Sequence, residues 1–286
     1  MIQRLRYLVS QPDFRAHRVR AIWRRLLWRF YHATHPGKPL ILEGWYQGMR
    51  IALPRSGCAA QVFYRRHSNP EIVRVMEDTL REGDTVIDIG AHIGEYTLIA
   101  AYLVGSKGQV HAVEPQPHAA EVIAINASLN QFSNIRVHQV AVGNTSGIVR
   151  FSYSSQTWGG LIVSEGGQLS VRCVTLDELV EEQKLTSVRL VKVDAAGNEK
   201  DVLLGGRKFL TGAESPIIIC KFYNPTVVRE RFGYETRDIV KILHAWGYQV
   251  KALTYKGEVP ITADSCYGLF QKDEYGFVLK AWRSGC

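Results

Sequence analysis

The hydrophobic positions of this chain repeat with two different periods, and the changes of period mark its parts. Near the amino terminus Val19, Ile22, Trp23, Leu26, Leu27 and Phe30 recur at helical spacing, while Arg15, Arg18, Arg25 and Arg29 fall on another face. That pattern predicts a basic amphipathic helix. After Pro36-Gly37 the runs LILEGWY, MRIALP and AAQVFYRR are short, β-like and separated by turns, which predicts a small β-rich cap segment over residues 36–68. In SNPEIVRVMEDTLREGD the period is helical again. Ser68 or Asn69 can cap, Pro70 suits the first helical position, Ile72, Val73, Met76, Thr79 and Leu80 share a face, and Gly83 is the expected stop. Strands over 85–90, 109–113 and 135–142 then alternate with helices over 94–104 and 117–130. Such alternation predicts right-handed βαβ units, hence an α/β fold with a mostly parallel sheet and helices on both faces. A stretch rich in Gly, Ser and Asn interrupts it and reads as a β insertion near 143–174. The order resumes with a strand over 188–194, a helix near 198–210, a strand over 216–222 and a helix near 235–245. The last runs, YQVKAL and CYGLFQK, are joined by too short a polar connection for a crossover helix, so they are expected to pair antiparallel. The expected organisation is a basic helical segment (1–35), a cap (36–68) and a main domain (69–286).

Composition adds a core and a charge asymmetry. With 286 residues, 46% of them hydrophobic, the chain can bury a sizeable core. The cysteines, Cys58, Cys173, Cys220, Cys266 and Cys286, are scattered without a CxxC pair, so neither a disulfide framework nor a metal site is expected, and a reducing, cytoplasmic setting is. The first thirty residues are too rich in arginine for a signal peptide or a membrane span. Residues 1–40 hold nine Lys/Arg and one acid, Asp13, which leaves 26 basic and 26 acidic residues for the rest; the whole net charge of +8 therefore sits in that segment. Two uses of the helix stand open: docking on its own domain or on a second copy in a homo-oligomer, or peripheral contact with an anionic membrane through residues 15–31. Nucleic acid is the weakest of the candidate partners.

Candidate chemistry concentrates in VIDIGAHIGEYTL, residues 86–98. A strand ends in Asp88, Gly90 and Gly94 follow, and a helix begins. Glycines permit close backbone approach, and a helix amino terminus presents free N–H groups. The spacing is D-x-G-x-x-x-G and lacks the middle glycine of the dinucleotide fingerprint, which disfavours a nicotinamide oxidoreductase. S-adenosylmethionine carries a sulfonium and no phosphate, so a carboxylate at the strand end suits it. Glu114 closes the next strand, where an acid can accept hydrogen bonds from ribose hydroxyls. No HExxH or GxSxG pattern supports a hydrolase.

VIDIGAHIGEYTL, VEPQPHAAEVIAINASLN, VAVGNTSGIVRFS, VTLDEL and LVKVDAAGNEKDVLLGG together resemble, in order and spacing, the FkbM-type S-adenosylmethionine-dependent methyltransferases, over roughly residues 68–222. The resemblance implies a Rossmann-like class I methyltransferase fold with a seven-strand sheet, and O-methylation of a hydroxyl on a sugar, a glycolipid or a secondary metabolite. It implies that Asp88, Gly90, Gly94 and Glu114 line the cofactor together with their turn neighbours Ala91, His92 and Pro115, that Tyr96 either meets the methionine end or begins the helix, and that the backbone around Ala141 and Val142 lies near the adenine. Asp194, at the end of the fourth strand, is the first candidate to face the cofactor and deprotonate the acceptor; its alternative role is capping the next helix. His92, where the family has asparagine, is a second candidate base or a loop hydrogen-bonder, and Lys192 can share a face with Asp194 and pair with its charge. The family acids that follow appear here as Ala196 and Cys220, and their absence raises the alternative of a cofactor-binding partner or regulatory protein that no longer catalyses. FYNP at 222–225 resembles an amino-methyltransferase motif in the wrong place, yet Tyr223 and Asn224 can line an acceptor pocket. Tyr153, Trp158 and Gly159-Gly160 suit a sugar-stacking loop or a lid, or equally the ordinary packing of the insertion hairpin.

Overall fold

The computed structural model describes residues 14, 17–153, 160–163, 166–222, 225–254, 257–266 and 278–283. Two compact units divide the chain, one of residues 1–68 and 154–158, the other of 69–153 and 159–286.

In the first unit, helix α1 (Arg18–Thr34) is followed by a two-stranded antiparallel ribbon, β1 (Leu40–Leu42) and β2 (Ile51–Leu53), and by helix α2 (Gly57–Arg65). The stripe that α1 buries is Ala21, Trp28 and His32, and not the apolar face read from spacing. Trp28 packs on Phe63 of α2 with ring centroids 5.5 Å apart, and Arg24 Nη1 donates to the carbonyls of Phe63 and Tyr64, 3.0 Å each. The guanidinium of Arg25 lies 4.5 Å from the Tyr64 ring centroid. The run AAQVFYRR, expected as a strand, is helical. Ser56 accepts a hydrogen bond from the Ala59 N–H at 3.2 Å, and Ala59, Val62 and Phe63 are buried on one side. A cap and a 3–4 spacing outweigh the β propensity of Val and Phe.

The second unit opens with α3 (Pro70–Thr79), which stops at Thr79, ahead of Gly83, because Leu80 turns to an extended conformation. Strand β3 (Thr85–Ile89), helix α4 (Glu95–Val104), strand β4 (Gln109–Val113), helix α5 (Pro117–Leu129) and strand β5 (Ile135–His138) follow. The single strand expected over 135–142 is two. β5 stays in the main sheet, whereas β6 (Ala141–Gly143) joins β7 (Gly147–Tyr153), β8 (Gly160–Val163) and β9 (Leu169–Thr175) in a separate four-stranded sheet of order β6-β9-β7-β8. β6 pairs parallel with β9, so residues of the insertion capture the end of the expected strand. Then come α6 (Leu176–Glu182), β10 (Leu190–Val193), α7 (Glu199–Gly205), α8 (Arg207–Leu210), β11 (Ile217–Lys221), α9 (Pro225–Phe232), α10 (Thr236–Ala245), β12 (Gln249–Thr254), β13 (Gly257–Pro260) and β14 (Val278–Trp282).

Among the described residues the main sheet has eight strands in the order β13-β12-β14-β11-β10-β3-β4-β5, against the seven expected. From β11 to β5 the pairs are parallel, and from β11 to β13 they are antiparallel, so the sheet is mixed. The antiparallel end exists, but its members differ from the expectation: YQVKAL pairs with Gly257–Pro260 on one side and Val278–Trp282 on the other. Most of CYGLFQK lies outside the described residues. Ile87, Val191, Ile218, Val202, Val240 and Leu243 are fully buried in the main core. At the parallel edge of the sheet His111 of β4 and His138 of β5 stack with centroids 5.2 Å apart and ring nitrogens at 2.9 Å. Burial, with the neighbouring charges of His138 and Arg136, pushes His111 down to about 4.

Candidate functional site

The order of strands creates the site. From β3 the chain proceeds outward through β4 and β5, then returns to build β10 and β11 on the other side of β3. The order in which strands are added therefore reverses between the parallel neighbours β3 and β10, and in open α/β sheets ligands bind beyond the carboxyl ends of the strands at such a point. Asp88 and the glycine turn lie at the end of β3, Asp194 just beyond β10, and Glu114 just beyond β4. Three carboxylates far apart in sequence are brought to neighbouring strand ends.

Asp88 is fully buried and is held by two side chains. Thr97 Oγ1 donates to Oδ2 at 2.7 Å, and Lys192 Nζ lies 2.8 Å from Oδ1. Lys192 also donates to the Gly90 carbonyl at 3.0 Å and sits 5.2 Å from the Tyr96 ring centroid. Asp88 and Lys192 are register partners across β3 and β10, so the ion pair of Lys192 is with Asp88, while its charge also acts on the expected partner Asp194. A buried pair of this kind fixes geometry more than it adds stability; here it clamps the turn that follows Asp88. Tyr96 is buried in the first turn of α4, and its hydroxyl accepts from Asn69 Nδ2 at 3.1 Å. Burial raises the Tyr96 phenol well above its ordinary range, and the nearby Glu95 charge adds to this.

The turn closes on Glu114. Its Oε2 accepts the His92 N–H at 2.8 Å and its Oε1 accepts the Gln116 N–H at 3.0 Å. Burial pushes this carboxyl up to about 7; the two N–H donors and Lys192 act in the opposite sense. His92 has φ +53°, a left-handed conformation that asparagine or histidine adopts more readily than most residues. Gly90 and Gly94 also have positive φ, +72° and +84°. A Cβ on Gly90 would lie 1.9 Å from the Asp194 carbonyl oxygen, whereas the nearest atom to one on Gly94 would be Cγ1 of the Ile123 side chain at 3.4 Å, an ordinary contact. Gly90 thus serves the close packing of two strand ends, a reason different from the ligand approach read from sequence. Ala91, Ala141 and Val142 are buried, Pro115 is half-buried, and the Val142 carbonyl accepts from Asn198 Nδ2 at 2.9 Å.

Asp194 faces a cation that sequence reasoning did not select. Lys221 Nζ, at the end of β11, is 2.8 Å from Asp194 Oδ2, and both side chains remain about a quarter exposed, 28% and 25%. Burial acts to raise the Asp194 carboxyl, but Lys221, with Lys192 and His92 assisting, outweighs it and holds the group below its ordinary value. Cys220, expected at the strand end in place of a family acid, is instead buried in the core, so the residue that reaches the crevice is Lys221. The loop after Asp194 is folded by Glu199. Its Oε1 accepts the Ala195 and Gly197 N–H groups at 3.0 and 2.9 Å, and Tyr234 donates to Oε2 at 2.9 Å. That loop carries Ala196 at φ +52°. Thr97, Glu199, Tyr234 and Lys221 were not legible as site residues: Tyr234 and Lys221 act on partners 35 and 27 residues away, and Thr97 and Glu199 act on nearer groups that only the folded turns bring into reach, although the acid opening the helix at 199 offered a local sign. Trp158, Tyr223 and Asn224, expected to touch the acceptor, lie outside the described residues. Among the described residues no group of three or more His, Cys, Asp and Glu is arranged to hold a metal ion.

The sequence pattern of the Methyltransferase FkbM domain matches residues 88–250, from the buried aspartate of β3 into β12. This chain belongs to the FkbM methyltransferase family. The hexuronic acid methyltransferase AglP of Haloferax volcanii is 26% identical over 174 residues, 60% of this chain and 66% of that protein. The 31-O-demethyl-FK506 methyltransferase FkbM of Streptomyces tacrolimicus is 26% identical over 159 residues, 44% of this chain and 60% of that protein. The chain thus spans somewhat less than two thirds of the length of these relatives. Among solved structures, an FkbM methyltransferase from Methylobacillus flagellatus KT is 16% identical with a TM-score of 0.46, covering 80% of this chain and 56% of that one. S-adenosylmethionine is the methyl donor of this family. The crevice fits it: a helix amino terminus and a glycine turn without the pyrophosphate spacing, beside a buried carboxylate suited to ribose hydroxyls.

Proposed function

We propose that this FkbM-family chain transfers the methyl group of S-adenosylmethionine to a hydroxyl oxygen of a sugar, a glycolipid or a secondary metabolite. The observation that carries the reading is Asp194, ionised by its pairing with Lys221 at 2.8 Å, beside the glycine turn and Glu114 at the switch point. Glu114 would hold the ribose hydroxyls, Gly90, Ala91, His92 and Gly94 the chain of the cofactor, and Ala141 and Val142 the adenine. Bound S-adenosylmethionine supplies an electrophilic methyl group on a sulfonium. The protein's task is then alignment in a dry site. Asp194 accepts the hydrogen bond of the acceptor hydroxyl and takes its proton. Because Lys221 lowers its basicity, orientation of the oxygen is the larger part of its work. His92 contributes through its backbone N–H to Glu114, and Lys192 through Asp88 and Gly90. AglP acts on a hexuronic acid by its name, and an acidic sugar is therefore the first acceptor to try.

Calorimetric titration with S-adenosylmethionine tests the cofactor half. Glu114→Ala is expected to weaken binding at least about tenfold, in line with loss of hydrogen bonds to a charged group. Ribose donors favour the ionised carboxylate, so binding near pH 6 expels a proton and affinity rises as pH passes through about 7, the value to which Glu114 is shifted. Unchanged affinity in the variant removes the ribose assignment. Asp194→Asn is expected to cut turnover on hydroxylated acceptors about a hundredfold or more while sparing cofactor affinity. Tight cofactor binding without turnover in the parent, with turnover gained on Ala196→Glu, favours the non-catalytic reading motivated by Ala196, whereas loss of existing turnover in that variant counts against it.

A further inference from the structure

Helix α1 uses one face and leaves the opposite one unpartnered within its unit. At about 100° per residue, Val19, Ile22, Trp23, Leu26, Leu27 and Phe30 fall within an arc of about 140°, centred opposite the arc that buries Ala21, Trp28 and His32. These are large apolar side chains, and they stand out: Val19 is 79% exposed, Phe30 69% and Trp23 61%, with Ile22, Leu26 and Leu27 near half. Arg18 and Arg29 flank the arc on one side and Arg20 on the other, all exposed. Arg24 and Arg25 are turned instead to α2: Arg24 bonds the Phe63 and Tyr64 carbonyls and covers the Phe63 ring, and Arg25 covers the Tyr64 ring while bonding the Ala21 carbonyl of its own helix. No Asp or Glu occurs between Arg18 and Thr34.

We infer that α1 lies flat on an anionic membrane surface, its Val19-Ile22-Trp23-Leu26-Leu27-Phe30 face in the headgroup and acyl boundary and its flanking arginines on lipid phosphates. Charge complementarity selects this occupant. The segment to residue 40 carries the whole net charge of the chain, +8, and arginine stems can lie along the apolar face while the guanidinium reaches the phosphates. A second copy of the same face would bring Arg18, Arg20 and Arg29 against their equivalents with no acid to receive them. Nucleic acid would leave six apolar side chains without a partner. The opposite, buried face is what allows the contact: α1 is held by α2 through Trp28, Arg24 and Arg25, so the exposed face is presented by a fixed helix of about 25 Å.

The test uses the full-length protein and vesicles of phosphatidylcholine alone or mixed in equal parts with phosphatidylglycerol. Cosedimentation with the mixed vesicles, weakening as salt rises, is expected, with little on the neutral ones. Trp23→Glu with Phe30→Glu is expected to reduce binding at least about tenfold, given the apolar area withdrawn. Both side chains are exposed, so the melting temperature should hold. Arg18→Gln with Arg20→Gln and Arg29→Gln should reduce binding and flatten its salt dependence, leaving α2 contacts intact. Equal binding to both vesicle types, or binding indifferent to the Trp23 and Phe30 changes, overturns the inference. So does a variant that converts a dimer to a monomer on size-exclusion chromatography without altering vesicle binding, which would give the face to a second copy.

Discussion

Gly90 shows how much one missing Cβ can decide. Its φ of +72° alone would cost another residue on the order of 1–3 kcal/mol. The larger obstacle is the Asp194 carbonyl oxygen, 1.9 Å from any Cβ there, because a backbone atom cannot swing aside as a side-chain tip can. Gly90→Ala is therefore expected to lower the melting temperature by far more than Gly94→Ala, whose Cβ meets the movable Ile123 at 3.4 Å. Similar melting shifts for the two variants would show that conformation alone, not packing, governs both. His92→Asn is expected to keep cofactor affinity and turnover, since Glu114 uses the backbone N–H of residue 92 and asparagine accepts a left-handed φ. Loss of turnover in a folded His92→Asn protein would restore the imidazole as a base. The two glycines were legible in the sequence as turn residues. Their unequal packing was not, since it depends on β10 arriving beside β3.

At the scale of elements, local pattern and tertiary partner divide the work. Ser56, Ala59, Val62 and Phe63 carry a helical spacing that the β-branched and aromatic composition of AAQVFYRR obscured. For α1 the periodicity was real, but it picked out the exposed face: burial fell to Ala21, Trp28 and His32 because α2 offers Phe63, Tyr64 and two carbonyls to exactly that side's arginines and indole. The loop joining β10 to α7 depends on a residue from the segment after α9. Tyr234 donates to Glu199, which in turn receives the Ala195 and Gly197 N–H groups. Tyr234→Phe is expected to cost about 1.5–3 kcal/mol, the range for a hydrogen bond to a charged group. Hydrogen exchange at Ala195 and Gly197 should quicken with it. Unaltered exchange at those amides would mean that Glu199 holds the loop without the tyrosine.

For the whole molecule, two buried groups oppose each other in their response to pH. Glu114 is raised to about 7 in the folded chain from an ordinary 4.5. The unfolded chain loses its proton first, so this group lowers stability as pH rises from about 4.5 to 7, by roughly 3 kcal/mol. His111 is lowered to about 4 from 6.5. Its contribution is complete above about 6.5 and is lost as pH falls toward 4, by a similar amount. Over the shared window the two trends offset each other. Denaturant unfolding of Glu114→Gln and the parent should therefore diverge with pH, the variant gaining roughly 3 kcal/mol on the parent between pH 4.5 and 7. A difference independent of pH would place the Glu114 titration near its ordinary value.

The sequence by itself determined the alternation of strands and helices from Thr85 to Lys221, the glycine turn after Asp88, the acid at 114, the aspartate at 194 and the concentration of positive charge before residue 40. Each of these is written in spacing or residue type within one stretch of chain. Only the tertiary structure decided that β10 lies beside β3, and with it the Lys192–Asp88 clamp, the tight fit of Gly90 and the Lys221–Asp194 pair. It also moved Ala141–Gly143 into a second sheet and chose which face of α1 to bury. Those outcomes depend on partners far off in sequence, where hydrogen-bond registers and packing, and not local propensity, set the lowest free energy.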